Sequence, residues 1–287
     1  LEPRCAEITR QDGFRIESVT YEVEPGDRVP ALLLIPDGVD AENPAPAVAV
    51  WHQHNGQYDL GKSEPAGLAG DPMHHTGVAL AREGYVVLCP DALCFESRRD
   101  PVGKLAGMQY ERFAFLQYVV RGQCLAWKNI LDMRRAVDFL FERPEVRPDA
   151  IGCYGHSMGS THTWLVGPFE PRLKCLVCNC CLPTYEAIHK HHLLHCFPNF
   201  IPGWQQYGDT PDIAALIAPR PLLLNLGETD DGSPIEEAKA GVERIAAVYD
   251  RQNAAANFSF AIEPGVGHAL TDTMWQRTRE WFARHLG

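Results

Sequence analysis

No apolar run in this chain approaches the roughly 20 residues that a membrane-spanning helix needs. Positive charge is also short: 26 Lys and Arg stand against 37 Asp and Glu, a formal net charge of −11. That balance excludes the electrostatics of a nucleic-acid binder or of a protein held on an anionic membrane surface. Internal repeats, low-complexity stretches and linker-like segments are missing too. A secretory leader is not seen, and the first residue is Leu1, which fits a processed or trimmed start. Cysteine, by contrast, is plentiful at ten residues. Four of them, Cys175, Cys178, Cys180 and Cys181, lie in the run 173–182, which reads as a buried strand. Alternate strand residues face opposite sides, so these thiols would not converge on one ion and are expected as small core residues. Many unpaired thiols point to a reducing compartment, and a cytoplasmic location is the expectation.

The length of 287 residues and the 45% apolar share allow a large core within one α/β domain. Residues 14–24 alternate as a first strand and 29–35 as a second, making an antiparallel opening pair across Pro25-Gly26-Asp27. Short apolar runs at 47–51, 85–89, 150–154, 173–182, 221–226 and 258–262 read as buried strands of a parallel sheet. Helical spacing appears between them, at 72–83, 122–142, 158–166, after Ser233-Pro234, and from Thr271 onward. Ser233-Pro234-Ile235-Glu236 predicts a capping box with proline at the first helical position. Strand–helix alternation implies a mostly parallel sheet with helices on both faces. Two stretches break the rhythm, at about 92–121 and 182–212, and are expected as cap-like insertions that form pocket walls or a lid.

The chain is organised around Gly155-His156-Ser157-Met158-Gly159. A strand signal precedes this G-x-S-x-G and a helix signal follows it, the context of a nucleophile elbow. Its partners should follow in the order acid, then histidine. Asp230 lies in a turn after the 221–226 strand, and His268 lies on the glycine-flanked loop after the last strand. His268 would take the Ser157 proton, with Asp230 fixing its tautomer. One oxyanion donor is expected from the backbone N–H of Met158. The other is expected from the loop after 47–51, at His54 or its neighbour Gln53. Histidines also recur at His52 and His54, at His74-His75, and at His189, His191, His192 and His195. The last group would gather several imidazoles if helical, a zinc-like pattern. A solvated or lid-packing role is the expectation, with no metal and no organic cofactor.

Together with His52-Gln53-His54, Pro90-Asp91-Ala92, residues 134–140 and 217–223, Gly227-x-x-Asp230 and Gly267-His268, these motifs resemble the dienelactone hydrolase superfamily of α/β-hydrolases, nearest its acetyl xylan esterase-like branch. The resemblance runs from about residue 29 onward. It implies the α/β-hydrolase fold, a serine esterase working through an acyl-enzyme, and the nucleophile, acid and base places for Ser157, Asp230 and His268. The chain departs from dienelactone hydrolases proper in having serine rather than cysteine at the nucleophile, so their lactone substrate does not transfer. His-Gln-His also replaces the commoner His-Gly of the oxyanion loop. The expected partner is a small-molecule ester, with no nucleic acid and no membrane; a homo-oligomer is compatible with the sequence. Two rival readings are an amide or peptide hydrolase of the oligopeptidase type and an inactive hydrolase fold used as a binding module.

Overall fold

In the computed structural model, which describes residues 1–180 and 182–287, nine strands form one sheet. In chain order they are β1 (Arg4–Gln11), β2 (Phe14–Glu24), β3 (Asp27–Pro36), β4 (Ala45–Trp51), β5 (Val86–Pro90), β6 (Val146–His156), β7 (Leu173–Asn179), β8 (Leu222–Gly227) and β9 (Phe258–Glu263). The spatial order is β1-β2-β3-β5-β4-β6-β7-β8-β9. The first three strands pair antiparallel with one another, and β3 pairs antiparallel with β5. From β5 to β9 every pairing is parallel. After β4 the chain crosses to β5 on one side and then to β6 on the other. That reversal opens a crevice at the strands' carboxyl ends, where open α/β sheets place ligands.

Among the described residues the α-helices are α1 (Thr76–Arg82), α2 (Met108–Val120), α3 (Leu125–Phe141), α4 (Met158–Val166), α5 (Tyr185–His191), α6 (Thr210–Ala215), α7 (Ile235–Arg251) and α8 (Asp272–His285). Strand alternation divides the core into two layers. Ala47, Ala49 and Trp51 pack with α3, α4, α6 and α7, while Val48 and Val50 pack with α1 and α8. Cys178 belongs to the first layer, Cys175 to the second, and Cys180 to a small cluster with Leu270 and Met274. The three thiols are thus spread over different packing environments; Cys181 lies outside the described residues.

Three expectations need correction. The opening is a triple, because β1 covers the outer edge of β2. The side chains of β1 that are described are exposed on both faces, so the strand lacks the apolar alternation that marks one in sequence. The helix expected at 72–83 is split: Asp71 caps a 3₁₀ turn at Pro72–His74, His75 leaves helical geometry, and α1 begins afresh at Thr76. The capping box at Ser233 does not form. Pro234 is the N-cap residue of α7 and makes no side-chain cap bond, while Ser233 Oγ accepts the backbone N–H of Leu182 at 3.0 Å. A capping box forms instead at α6, between Asp209 and Asp212.

Both insertions are tied to the rest of the domain by polar groups. In the first, Glu96 meets Lys62 at 2.5 Å, and Arg98 bonds Asp132 at 2.7 Å and Asp27 at 3.2 Å. The second holds α5 and the start of α6 and pairs Lys190 with Glu237 of α7. Among the described residues no helix is long and apolar enough to cross a membrane.

Candidate active site

Ser157 sits between the end of β6 and the first residue of α4, with φ 58° and ψ −119°. This backbone region is costly for a residue with a side chain, and such strain collects at functional turns. The elbow's glycines are demanded by close contacts. A Cβ on Gly155 would lie 2.0 Å from the backbone of Gly159, and one on Gly159 would lie 2.1 Å from the carbonyl oxygen of Trp51. The turn is further held by Ser157 N–H donating to Asn179 O at 2.9 Å. Asn179 is itself fixed by Tyr154 and Asn225, so buried side chains on β6, β7 and β8 brace the serine's platform.

The acid and histidine loops meet in the same way. Gly227 ends β8, and a Cβ there would run into the carbonyl oxygens of Val266 and Gly267 at 2.4 and 2.3 Å. Thr229 N–H donates to Val266 O at 2.9 Å. His268 Nδ1 then lies 2.8 Å from Asp230 Oδ2, and His268 Nε2 lies 2.7 Å from Ser157 Oγ. The Asp230 side chain is 2% exposed and its Oδ1 accepts Gly232 N–H at 2.9 Å. His268 is 41% exposed, open to the cavity it lines. Asp231 is exposed at the mouth of that cavity.

The cavity measures about 770 Å³, large enough for a small organic substrate. Ser157, His268 and the acid turn form one part of its lining, and His54, Tyr58 and Glu111 another. His54 belongs to this wall, whereas the Gln53 side chain turns away to bond Glu64 at 3.1 Å. His195, from the second insertion, also lines the cavity, and its Nε2 is 3.0 Å from Gly232 O. Burial pushes its pKa down, so this imidazole is neutral and Nε2–H donates to the carbonyl. Two further imidazoles stack behind His268: His156 packs on it with ring centres 5.2 Å apart, and His74 packs on His156 at 4.9 Å. Burial holds the pKa of His156 well below the usual value, and the charge of a protonated His268 would push the same way.

The other histidines of the 189–195 group do not converge. His191 faces Glu237 at 3.3 Å, His189 lines a separate groove with Tyr185 and Trp204, and His192 closes α5 in a left-handed conformation. Among the described residues no group of three or more His, Cys, Asp or Glu side chains is arranged to hold a metal ion. Glu111, Tyr58 and His195 were not singled out in sequence for the site. Sequence carries no distinctive signal for Glu111, which stands beside Arg112 in a helix that also holds Gln109 and Gln117.

Comparison with known proteins bears on family and fold. The Abhydrolase family model matches residues 2–242. A Bacillus subtilis (strain 168) protein described as "Putative hydrolase YtaP" is 31% identical over 245 residues, spanning 84% of this chain and 78% of its own length. Among solved structures, a "putative acetyl xylan esterase" from Bacteroides fragilis NCTC 9343 superposes with a TM-score of 0.76 at 17% identity, covering 92% of this chain and 70% of that one. An acetyl xylan esterase from Paenibacillus sp. R4 gives 0.70 at 16%, covering 100% and 89%. At those identities the structural likeness is one of fold. The family match and the B. subtilis relative carry the assignment, and the chain belongs to the Abhydrolase family of α/β-hydrolases.

Proposed function

We propose that the chain is a serine hydrolase of carboxylic esters, with Ser157 as nucleophile, His268 as base and Asp230 as the acid that orients it. The observation that carries this reading is the unbroken series Ser157 Oγ–His268 Nε2–Asp230 Oδ2, at 2.7 and 2.8 Å, on the wall of a substrate-sized cavity. A carboxylate can only accept, so Nδ1 carries the proton and Nε2 presents its lone pair to the serine hydroxyl. Attack of Oγ on the ester carbonyl passes the hydroxyl proton to Nε2. Collapse of the tetrahedral species returns that proton to the departing alkoxide and leaves the acyl group on Ser157. Water then attacks the acyl-enzyme with the same proton transfers in reverse order, releasing the acid and the free serine.

Negative charge on the former carbonyl oxygen needs donors already in place. Met158 N–H, at the start of α4, is the first. His54 N–H is the second, favoured over Gln53 because His54 forms the cavity wall while the Gln53 side chain is anchored behind it. The names of acetyl xylan esterases among the similar folds agree with an ester as substrate. The test is direct. A fluorophosphonate probe should label the protein once, at Ser157, and Ser157→Ala should lose both labelling and several orders of magnitude in kcat. Labelling that survives in Ser157→Ala would remove the nucleophile from this position.

A further inference from the structure

The wall across from the acid turn holds a charge that the hydrolytic steps do not use. Glu111, in the first turn of α2, lines the cavity although its side chain is only 2% exposed. Its partners identify its state. Gly56 N–H donates to His54 Nδ1 at 3.0 Å, so that nitrogen carries no proton and the imidazole proton sits on Nε2. From there it donates to Glu111 Oε2 at 2.9 Å. Tyr58 O–H donates to the same oxygen at 2.6 Å. Burial and the neighbouring Glu111 carboxylate both push the Tyr58 pKa up, keeping the phenol a donor. Both donors favour the ionised carboxylate, which accepts at either oxygen.

Among the described residues no Lys or Arg lies within ion-pair distance of Glu111, and no donor reaches Oε1. The α2 N-terminus offers the charge partial compensation. Oε1 is not sealed from solvent, so the one oxygen without a protein donor is open to whatever enters the cavity that Glu111 lines. The surroundings sharpen the point. Tyr58, Phe95, Cys94 and Cys196 form an apolar cluster about this corner, so a donor brought to Oε1 would meet little competing water.

We infer that Glu111 Oε1 is a recognition point for a hydrogen-bond donor on the substrate, so that the favoured esters carry a hydroxyl or ammonium group in the acyl or alcohol part. This rests on the serine esterase reading and adds the substrate class to it. Neutral His54 and Tyr58 fix the carboxylate and spend its other oxygen, leaving one acceptor for the ligand. Esters bearing a carboxylate are disfavoured at the same corner by like-charge repulsion.

Matched p-nitrophenyl esters test the acyl side: butyrate, 3-hydroxybutyrate, 4-aminobutyrate and hemisuccinate. The corresponding butyrates of propanol, 1,3-propanediol and 3-aminopropanol test the alcohol side. In at least one series a donor-bearing ester should exceed its plain counterpart in kcat/KM by about tenfold or more, as bonds to a charged acceptor warrant. Comparison of the hydroxyl and ammonium members tells which donor is preferred. Glu111→Gln should collapse that ratio towards one, while Tyr58→Phe, which keeps the carboxylate, should retain it. Equal loss on plain and donor-bearing esters in Glu111→Gln would mean that Glu111 only positions His54, and would overturn the inference. So would a native ratio near one in both series. Calorimetric affinity of Ser157→Ala for the same pairs reads recognition without turnover. A flat affinity ratio in a protein whose native form takes the fluorophosphonate sinks the recognition point alone. Absence of labelling and turnover in the native protein sinks the esterase reading itself.

Discussion

The acid turn presents two adjacent carboxylates to one cavity, and only their local bonding separates them. Asp230 is buried, with Oδ1 held by Gly232 N–H and Oδ2 on His268, whereas Asp231 is exposed at the rim. Neighbouring side chains in an extended turn diverge, so the second acid cannot replace the first. Asp230→Asn should keep the fold, since the amide oxygen can still accept Gly232 N–H, yet lower kcat by about three to four orders of magnitude through loss of the productive tautomer. Asp231→Asn should leave kcat within about tenfold and stability within about 0.5 kcal/mol, as exposed substitutions generally do. Kinetics beside a thermal melt for both variants decides the matter; an inactive Asp231→Asn with a normal Asp230→Asn would transfer the acid role by one residue. At this scale the sequence was informative wherever a backbone demand forces a residue type. Gly155, Gly159 and Gly227 mark places where two main chains touch, and those places bracket the serine and the acid. Glu111 was not legible in the same way, because its neighbours Tyr58 and His54 lie 53 and 57 positions away in the chain.

At the scale of elements, the second insertion shows why a correct local pattern can mislead. Ser233-x-x-Glu236 satisfies the capping-box spacing, but Ser233 Oγ is already committed to Leu182 N–H across 51 positions. The bond closes the start of the insertion onto the acid loop, two residues before α7 begins, and His195 grips Gly232 from the insertion's other arm. Tertiary demand therefore overrode local propensity at this hydroxyl. The regular parts escaped such competition: α8 buries Met274, Thr278, Trp281 and Phe282, the face its spacing predicts, and α4 occupies the expected range. The two accounts of Ser233 predict different injuries. Loss of a helix cap costs about 1 kcal/mol and frays α7. Loss of the clasp leaves a buried Leu182 N–H without its acceptor, costing about 1–3 kcal/mol, and frees the insertion beside the cavity. Ser233→Ala should accordingly speed hydrogen exchange within 182–195 more than in the first turn of α7, and should raise KM more than it lowers stability. Faster exchange confined to the start of α7 would restore the cap.

For the whole molecule, the relevant stock is buried neutral histidine. His52, His156 and His162 all lie in the interior, and burial is the leading cause that lowers each pKa, that of His162 to about 3. Two of them also act as acceptors: His52 Nε2 takes Ala92 N–H at 3.1 Å, and His162 Nε2 takes the Asn129 amide at 3.0 Å. Protonation would break those bonds as well as bury a charge. The unfolded chain binds protons on these rings below about pH 6.5, whereas the native state does not, so stability must rise with pH through this interval. Equivalently, it is lost as pH falls below the unfolded value, and the loss continues towards the depressed folded values. Between pH 7 and 5.5 His162, whose folded value lies far below this range, contributes about 1.2 kcal/mol of loss, and His52 and His156 act in the same direction. The buried ion pairs act in a lower window. Asp27 and Glu96 have carboxyl pKa values below their ordinary range because Arg98 and Lys128, or Lys62, hold them against the opposing effect of burial. Their contribution is present above the unfolded carboxyl values of about 4 and fades only as pH falls below them. Denaturant melts at pH 7.0, 6.2 and 5.5 should therefore show a steady fall before any carboxylate titrates. His162→Gln, which preserves an acceptor for Asn129 but cannot be protonated, should flatten that slope. A stability that stays level from pH 7 to 5.5 would mean that these rings already carry protons in the native state. The same melts set the range in which an acid limb of kcat/KM reports on the site, rather than on unfolding of the scaffold that holds it.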